Sequence, residues 1–489
     1  MKTQGGLGRR AGALITAVAA VGAVVALPGP AAALQGRSVP SSGQAGHPGP
    51  AAALSGRAAG LQAGTAVLPA RAAGLQAGTA ALTARAAALP GRTAAAGGAI
   101  PPYAFDGSAQ RVQGAASSSD AVQLRTGQTY RDTLKKDGKV YYRVDLDRQN
   151  AYVSVVAVPR AGGEVEYGDG FKVSIQDGSG FECGYQQVNF SSSEFARPLA
   201  AYARRIIEAD SSTCQGAGAY YVLVERESKA STEDWELEIR YASEPLLKKA
   251  GPTELPEVWA SGTPGPPPGD PRQRQGGSGI HDAISLTQGE WRSDIRPGQT
   301  LFYRVPVDWG QQLFTTAELG SSASGDEYIG HALVLSLENP ALGHVDEGTV
   351  SYSGKPATLA LDALRPVAHE NRSSSDEATN GMRFAGWYYL SATLNPAMAE
   401  EYGDRTVPLT LRVSLRGAAK PGPGYDGDPG RFSVTADDRA AADQGVSGAQ
   451  AVEADGSLRV VAVAGIGSGT VLLLGLGGWT LLARRRAAA

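Results

Sequence analysis

Val140-Tyr141-Tyr142-Arg143-Val144-Asp145-Leu146-Asp147 decides the fold class of this 489-residue chain. Val140, Tyr142, Val144 and Leu146 alternate with Tyr141, Arg143, Asp145 and Asp147, and a period of two turns one set inward and the other outward on a half-buried strand. The stretch has a counterpart downstream, Leu301-Phe302-Tyr303-Arg304-Val305-Pro306-Val307-Asp308. Its surroundings repeat as well. Leu124-x-x-Gly127 matches Leu286-x-x-Gly289, Gly218-Ala219-Tyr220-Tyr221-Val222 matches Gly386-Trp387-Tyr388-Tyr389-Leu390, and Leu237-Glu238-Ile239-Arg240-Tyr241 matches Leu409-Thr410-Leu411-Arg412-Val413. Motifs that recur in one order mark two copies of one fold, so the chain reads as all-β, with two tandem jelly-roll-like β-sandwiches.

The copies fall at 118–243 and 282–415. Strand-like runs at 151–158, 171–176, 220–225 and 235–241 are separated by turn residues such as Asp137-Gly138 and Gly162-Gly163, and only 200–208 reads as helix. Between the copies, 244–281 carries Pro264-Gly265-Pro266-Pro267-Pro268 and reads as an extended linker, so little contact is expected between the sandwiches. A second, membrane-proximal linker is placed at 416–458. Residues 34–117 are rich in Ala, Gly and Pro, with a 14-residue repeat starting at Arg57 and again at Arg71; such thin apolar content predicts a disordered arm.

The two ends predict a compartment. Lys2, Arg9 and Arg10 precede an apolar run and Ala31-Ala32-Ala33, which makes 1–33 a secretory signal peptide. Residues 460–483 are uncharged and long enough, at about 1.5 Å each, to cross a hydrocarbon core of about 30 Å, and the span is placed at 459–483. Arg484, Arg485 and Arg486 follow, so the tail 484–489 is expected in the cytoplasm: a single-pass type I protein of the cell membrane with extracellular domains. Gly465 and Gly469 form a Gly-x-x-x-Gly pair on which a second helix could pack.

Charge excludes one class of partner. Eight of the 45 Lys and Arg precede Asp106 and four follow Leu458, leaving 33 against all 48 Asp and Glu, a net of −15. Nucleic acid demands a positive footprint, which that middle lacks.

At the repeated motifs, Tyr-Tyr-Arg-Val-Asp-Leu after a Gly turn and a late Gly-x-Tyr-Tyr strand, the chain resembles the bacterial pre-peptidase C-terminal domain, a small β-sandwich appended to secreted peptidases and surface proteins. The resemblance covers about 250 of the 489 residues. It implies an accessory, binding or processing module, in some members with calcium, and this chain departs from the family pattern in having no catalytic domain beside it. The Ala, Gly and Arg content, with Arg over Lys in the tails, is the composition of a high-G+C gene such as an actinomycete carries.

Catalytic signatures are absent from the sequence. His47, His281, His331, His344 and His369 are scattered, and no His-Glu-x-x-His helix, Gly-x-Ser-x-Gly elbow or P-loop occurs, so no enzyme is expected. Carboxylates at Asp145, Asp147, Glu164, Glu166 and Asp169 are the weak candidates for a calcium ion; no other cofactor is expected. Cys183 and Cys214, the only cysteines, are expected to pair in an oxidising compartment. Tyr141, Tyr221, Phe302 and Tyr389 are the outward rings of their strands and the candidate contact platform, against the plainer reading of cross-strand pairs. The function expected from all this is a non-catalytic, membrane-anchored surface protein whose paired sandwiches bind cell-wall polymer or another exported protein. The alternative is an accessory subunit of an envelope peptidase or secretion complex.

Overall fold

The alternation at Val140 to Leu146 does build a strand, and among the described residues ten strands make each of two sandwiches. The computed structural model describes residues 100–191, 195–208, 211–322 and 325–453, all within one compact unit, Pro90–Ala489. In the first sandwich one sheet runs β1 (Gln110–Arg111), β3 (Thr129–Leu134), β10 (Trp235–Glu244), β5 (Asn150–Val158), β8 (Leu199–Arg205). The facing sheet runs β2 (Val122–Leu124), β4 (Lys139–Leu146), β9 (Gly218–Glu227), β6 (Gly170–Gln176), β7 (Glu182–Asn189). The second sandwich repeats this order, with every strand number raised by ten: β11 (Arg272–Gln273), β13 (Gly289–Ile295), β20 (Val407–Arg416), β15 (Gln312–Leu319), β18 (Ala357–Ala360) against β12 (Ile284–Ser285), β14 (Thr300–Val307), β19 (Gly386–Leu394), β16 (Ile329–Glu338), β17 (His344–Tyr352). Even the short parallel entries recur, β1 on β3 and β2 on β4 against β11 on β13 and β12 on β14. The chain is thus all-β with two similar tandem units.

Each sandwich has its own core. Tyr142, Val144 and Leu146 of β4 point inward at 0–3% exposure, with Phe171, Val222 and Trp235 around them; Trp291, Tyr303, Leu335 and Tyr388 do the same in the second copy. The Ala-rich run expected to be helical is β8. Ala201 and Ala203 fill the narrow core side of that strand while Ala200 and Tyr202 face the second sandwich, so pairing along β5 overrides the helix preference of alanine.

The two sandwiches share a seam. The outer face of the β1-β3-β10-β5-β8 sheet lies on the outer face of the β12-β14-β19-β16-β17 sheet. Tyr152, Tyr202 and Ala242 pack there with Ala341, Phe384 and Phe432, and Val156 and Ala200 with Ile280, Ala283, Phe302 and Leu342. Burial from both sides explains why β5 and β14 are buried almost throughout their length instead of at alternate positions.

Segments that composition marks as linkers clasp this seam. Tyr103 sits edge-on to Phe302 at 5.6 Å, Ala104 N donates to Ser278 O, and Arg131 covers Phe105, so this part of the stretch 34–117 docks on the fold. After β20 the chain returns: Phe432 is fully buried, and a helix α1 (Ala436–Gln444) is held at its start by a capping box from Thr435 and stopped by Gly445 at φ 69°. Arg439 pairs with Asp308 at 2.7 Å, and Trp387 Nε1 donates to Asp438 at 2.7 Å.

The membrane reading is corrected here. Among the described residues no helix is long and apolar enough to cross a membrane; α1, with 9 residues, rises only about 14 Å. The single-span type I topology, the membrane-anchored function, helix-mediated association through Gly465 and Gly469, and the picture of a single-span surface protein carrying pre-peptidase-type domains are therefore not supported. Residues 1–33, the repeats, 459–483, Gly465 and Gly469 lie outside the described residues.

Candidate functional site

The strand order leaves a crevice at one edge of the seam, where β3 and β10 of the first sandwich meet β14 and β19 of the second. It has a volume of about 460 Å³ and also takes residues from the two clasping segments. Three guanidinium groups enter it from three parts of the chain.

Arg240, on the seam face of β10, donates to Glu238 Oε1 at 2.6 Å, and that buried pairing outweighs burial to hold its pKa above the ordinary value. Arg304 stands on β14, 4.0 Å above the Trp387 ring, with Nε donating to Ser285 Oγ at 2.9 Å. Its Nη2 is buried and has no hydrogen-bond partner. Burial pushes the Arg304 pKa down, opposed by Tyr389 and Asp438 through charge and by a side-chain interaction of the guanidinium with Tyr389. Arg431 arrives on the returning C-terminal stretch. Gly386 (φ 137°) makes that approach possible, because a Cβ there would stand 2.3 Å from Arg431 O. Loss of hydration and then Arg240 lower the Arg431 pKa, although part of the side chain is open to solvent.

Around the cations, Tyr389 lies opposite Arg304 in the β14–β19 ladder, and Gln110, Gln128 and His281 complete the wall. Asp106 is the acid among the lining residues. Its carboxylate accepts from Ser108 and Thr129, which with His281 hold its pKa below the ordinary value against burial. His281 Nδ1 is 3.6 Å from it, beyond hydrogen-bond range. The arrangement offers positive charge, donors and an aromatic edge.

The residues singled out from sequence are dispersed. Tyr141 and Tyr221 are half-buried on the outer face of the β4–β9 ladder, which no second sheet covers among the described residues. Phe302 and Tyr389 occupy the equivalent positions of the second sandwich, but there the face is covered, so Phe302 is 2% exposed in the seam and Tyr389 reaches the crevice. The five carboxylates do not converge. Asp145 pairs with Arg143 at 2.9 Å, Asp147 accepts from Gln149 N, and Glu164 and Glu166 are exposed. Asp169 is buried and accepts from the backbone N–H groups of Glu166, Lys229, Ala230 and Ser231, which lower its pKa against the opposing effect of burial. Among the described residues no group of three or more His, Cys, Asp and Glu could hold a metal ion. Cys183 and Cys214 form a disulfide with Cα atoms 5.8 Å apart, joining β7 to the loop before β9, away from the crevice. Arg240, Arg304 and Arg431 were not singled out; the repeat itself, which aligns Arg143 with Arg304, carried part of that signal.

No family model matches the chain, and no curated protein does. Among solved structures, Tripeptidyl Peptidase 2 matches at 9% identity over 60% of this chain and 24% of its own, with a TM-score of 0.18, so the chain spans about a quarter of that protein. The PBSX exported protein XepA matches at 11% identity over 66% of this chain and 100% of its own, with a TM-score of 0.17. The CBM22 tandem domain from Paenibacillus barcinonensis Xyn10C matches at 10% identity over 60% and 92%, with a TM-score of 0.17. Similarity at this level carries nothing over to this chain, and the pre-peptidase resemblance gains no support from it.

Proposed function

We propose that this chain is a non-catalytic binding protein whose two sandwiches act as one body and whose cationic crevice receives an anionic group of a ligand. The observation that carries this reading is Arg304 Nη2, a buried charged donor without a partner, beside the guanidinium groups of Arg240 and Arg431. Leaving such a donor unmade is costly, and a carboxylate, sulfate or phosphate oxygen would satisfy it. Planar guanidinium groups suit that recognition better than ammonium groups, and Tyr389 and Gln128 offer hydrogen bonds to whatever bears the anion. The absence of a catalytic role is part of the proposal; it is favoured by Asp106 being saturated and out of hydrogen-bond reach of His281.

The test is thermal unfolding of the full chain in sodium sulfate and in sodium chloride at equal ionic strength, for the wild type and for Arg431→Gln. Sulfate stabilises proteins generally, so the variant supplies the baseline. Specific binding gives the wild type an extra rise in Tm that saturates with sulfate and is absent in Arg431→Gln. Equal sulfate responses in both proteins would overturn the reading.

A further inference from the structure

At the opposite edge of the seam, where β7 and β8 meet β16 and β17, lies a second cleft of about 500 Å³ with the opposite charge. Glu338, Asp346, Glu347 and Glu377 line it. Arg197, from the first sandwich, is the basic group they face, and it is committed to Glu347 at 2.8 and 2.9 Å. Ser336 Oγ also donates to Glu347, at 2.9 Å. His344 stands opposite Glu338 in the β16–β17 ladder, and burial lowers its pKa and favours the neutral ring. Asp346 accepts from the backbone N–H of Asp362.

Glu338 differs from these neighbours. It is the last residue of β16, on the seam-facing side at the cleft floor, 4% exposed, and its Oε2 has no hydrogen-bond partner. A buried carboxyl in that state is costly, and cluster and orphan together mark a place where positive charge is missing. A metal ion would need several oxygen ligands converging at short distance, and among the described residues no such group is present. An organic cation can spread its N–H donors over a wider wall.

We propose that this cleft binds the ammonium head of an alkylamine ligand, with Glu338 as its counter-ion and Glu377 attracting it at the mouth. This site is independent of the anionic-ligand reading, since it shares no residue with the cationic crevice. Burial, with Glu347 adding repulsion, raises the Glu338 pKa to about 8, so at neutral pH the group carries a proton that an ammonium ion would displace. Binding should then release close to one proton near pH 6.5, and affinity should rise about tenfold from pH 6 to pH 7.

The experiment is isothermal titration of the full chain with 1,4-diaminobutane, with 1,4-butanediol as the uncharged control, in two buffers of different ionisation enthalpy. We expect binding of the diamine with proton release, no binding of the diol, at least tenfold weaker binding in Glu338→Gln, and about threefold weaker binding in Glu377→Gln. Glu377 is exposed, so that variant keeps the test open if Glu338→Gln fails to fold. Absence of diamine binding, equal binding of the diol, or unchanged affinity in either variant would overturn the proposal.

Discussion

Arg197, in the loop between β7 and β8 of the first sandwich, donates from Nη2 to both carboxylate oxygens of Glu347 on β17 of the second, at 2.8 and 2.9 Å. The Arg197 side chain is 2% exposed and that of Glu347 17%, so this is a seam contact and not a surface decoration. Beside it Gln186 of β7 accepts from His344 N and donates to His344 O, both at 3.0 Å. The seam is specified by directional bonds as well as by apolar area.

Removing one partner of a buried pair leaves the other charge uncompensated, at a cost of about 3–5 kcal/mol. Arg197→Met is expected to destabilise the chain by roughly that amount in urea unfolding, and Glu347→Gln in the same background should restore part of the loss. A change below about 1 kcal/mol for Arg197→Met would show that water reaches the pair and screens it.

Stability should also depend on pH in a defined direction. The Glu338 carboxyl, ordinarily near 4.5, sits at about 8 in the folded chain, so between those values the native state holds a proton that the unfolded state has released. Stability therefore falls as pH rises through that window, by about 1.4 kcal/mol per unit. His344 and His369 act in the opposite sense. Burial lowers both, His369 to about 4, so stability falls as pH drops below about 6.5. From pH 6.5 to 8 the carboxyl dominates: urea midpoints should decline with pH in the wild type and stay level in Glu338→Gln. A level wild-type profile would contradict the burial assigned to Glu338.

Phe432 tests whether the returning C-terminal stretch belongs to the folded body. Its ring stacks on Phe384 at 4.6 Å and meets Tyr152 edge-on at 5.5 Å, with no exposed area. Phe432→Ala should cost about 3–5 kcal/mol, as deletion of a buried aromatic does. A loss under about 1 kcal/mol would mean that the stretch docks without contributing to the core.

These contacts mark where sequence reading succeeds and where it stops. The period-two pattern around Tyr142 and the repeated Gly-x-Tyr-Tyr strands place the strands and the duplication, because inward alternation is a local property of each strand. The seam is not local. Its one legible trace is the run Ala151-Tyr152-Val153-Ser154-Val155-Val156-Ala157, apolar on both sides and therefore covered on both, but no single strand says by what. Phe302 and Tyr141 hold equivalent places in the repeat, yet one is buried and the other half-exposed, because among the described residues it is the second sandwich whose face is covered by another sheet. The cationic crevice was hidden for the same reason: Arg240, Arg304 and Arg431 are far apart in sequence and meet only when a stretch that composition marks as a linker folds back. Glu244 shows the same dependence, accepting from Asn150 and Tyr152 of β5 at 2.9 and 2.6 Å and from Tyr425 of the returning stretch at 2.7 Å.

The central claim, that an anionic group belongs between Arg304 and Arg431, is tested most directly by crystals of the chain soaked in sodium selenate and measured at the selenium edge. The account predicts an anomalous peak in the crevice about 4 Å from Arg304 Nη2, the selenium standing one bond behind the oxygen that accepts the hydrogen bond. It also predicts that the peak is lost in Arg431→Gln crystals treated identically. Selenate bound elsewhere on the surface, with that crevice empty, would contradict it.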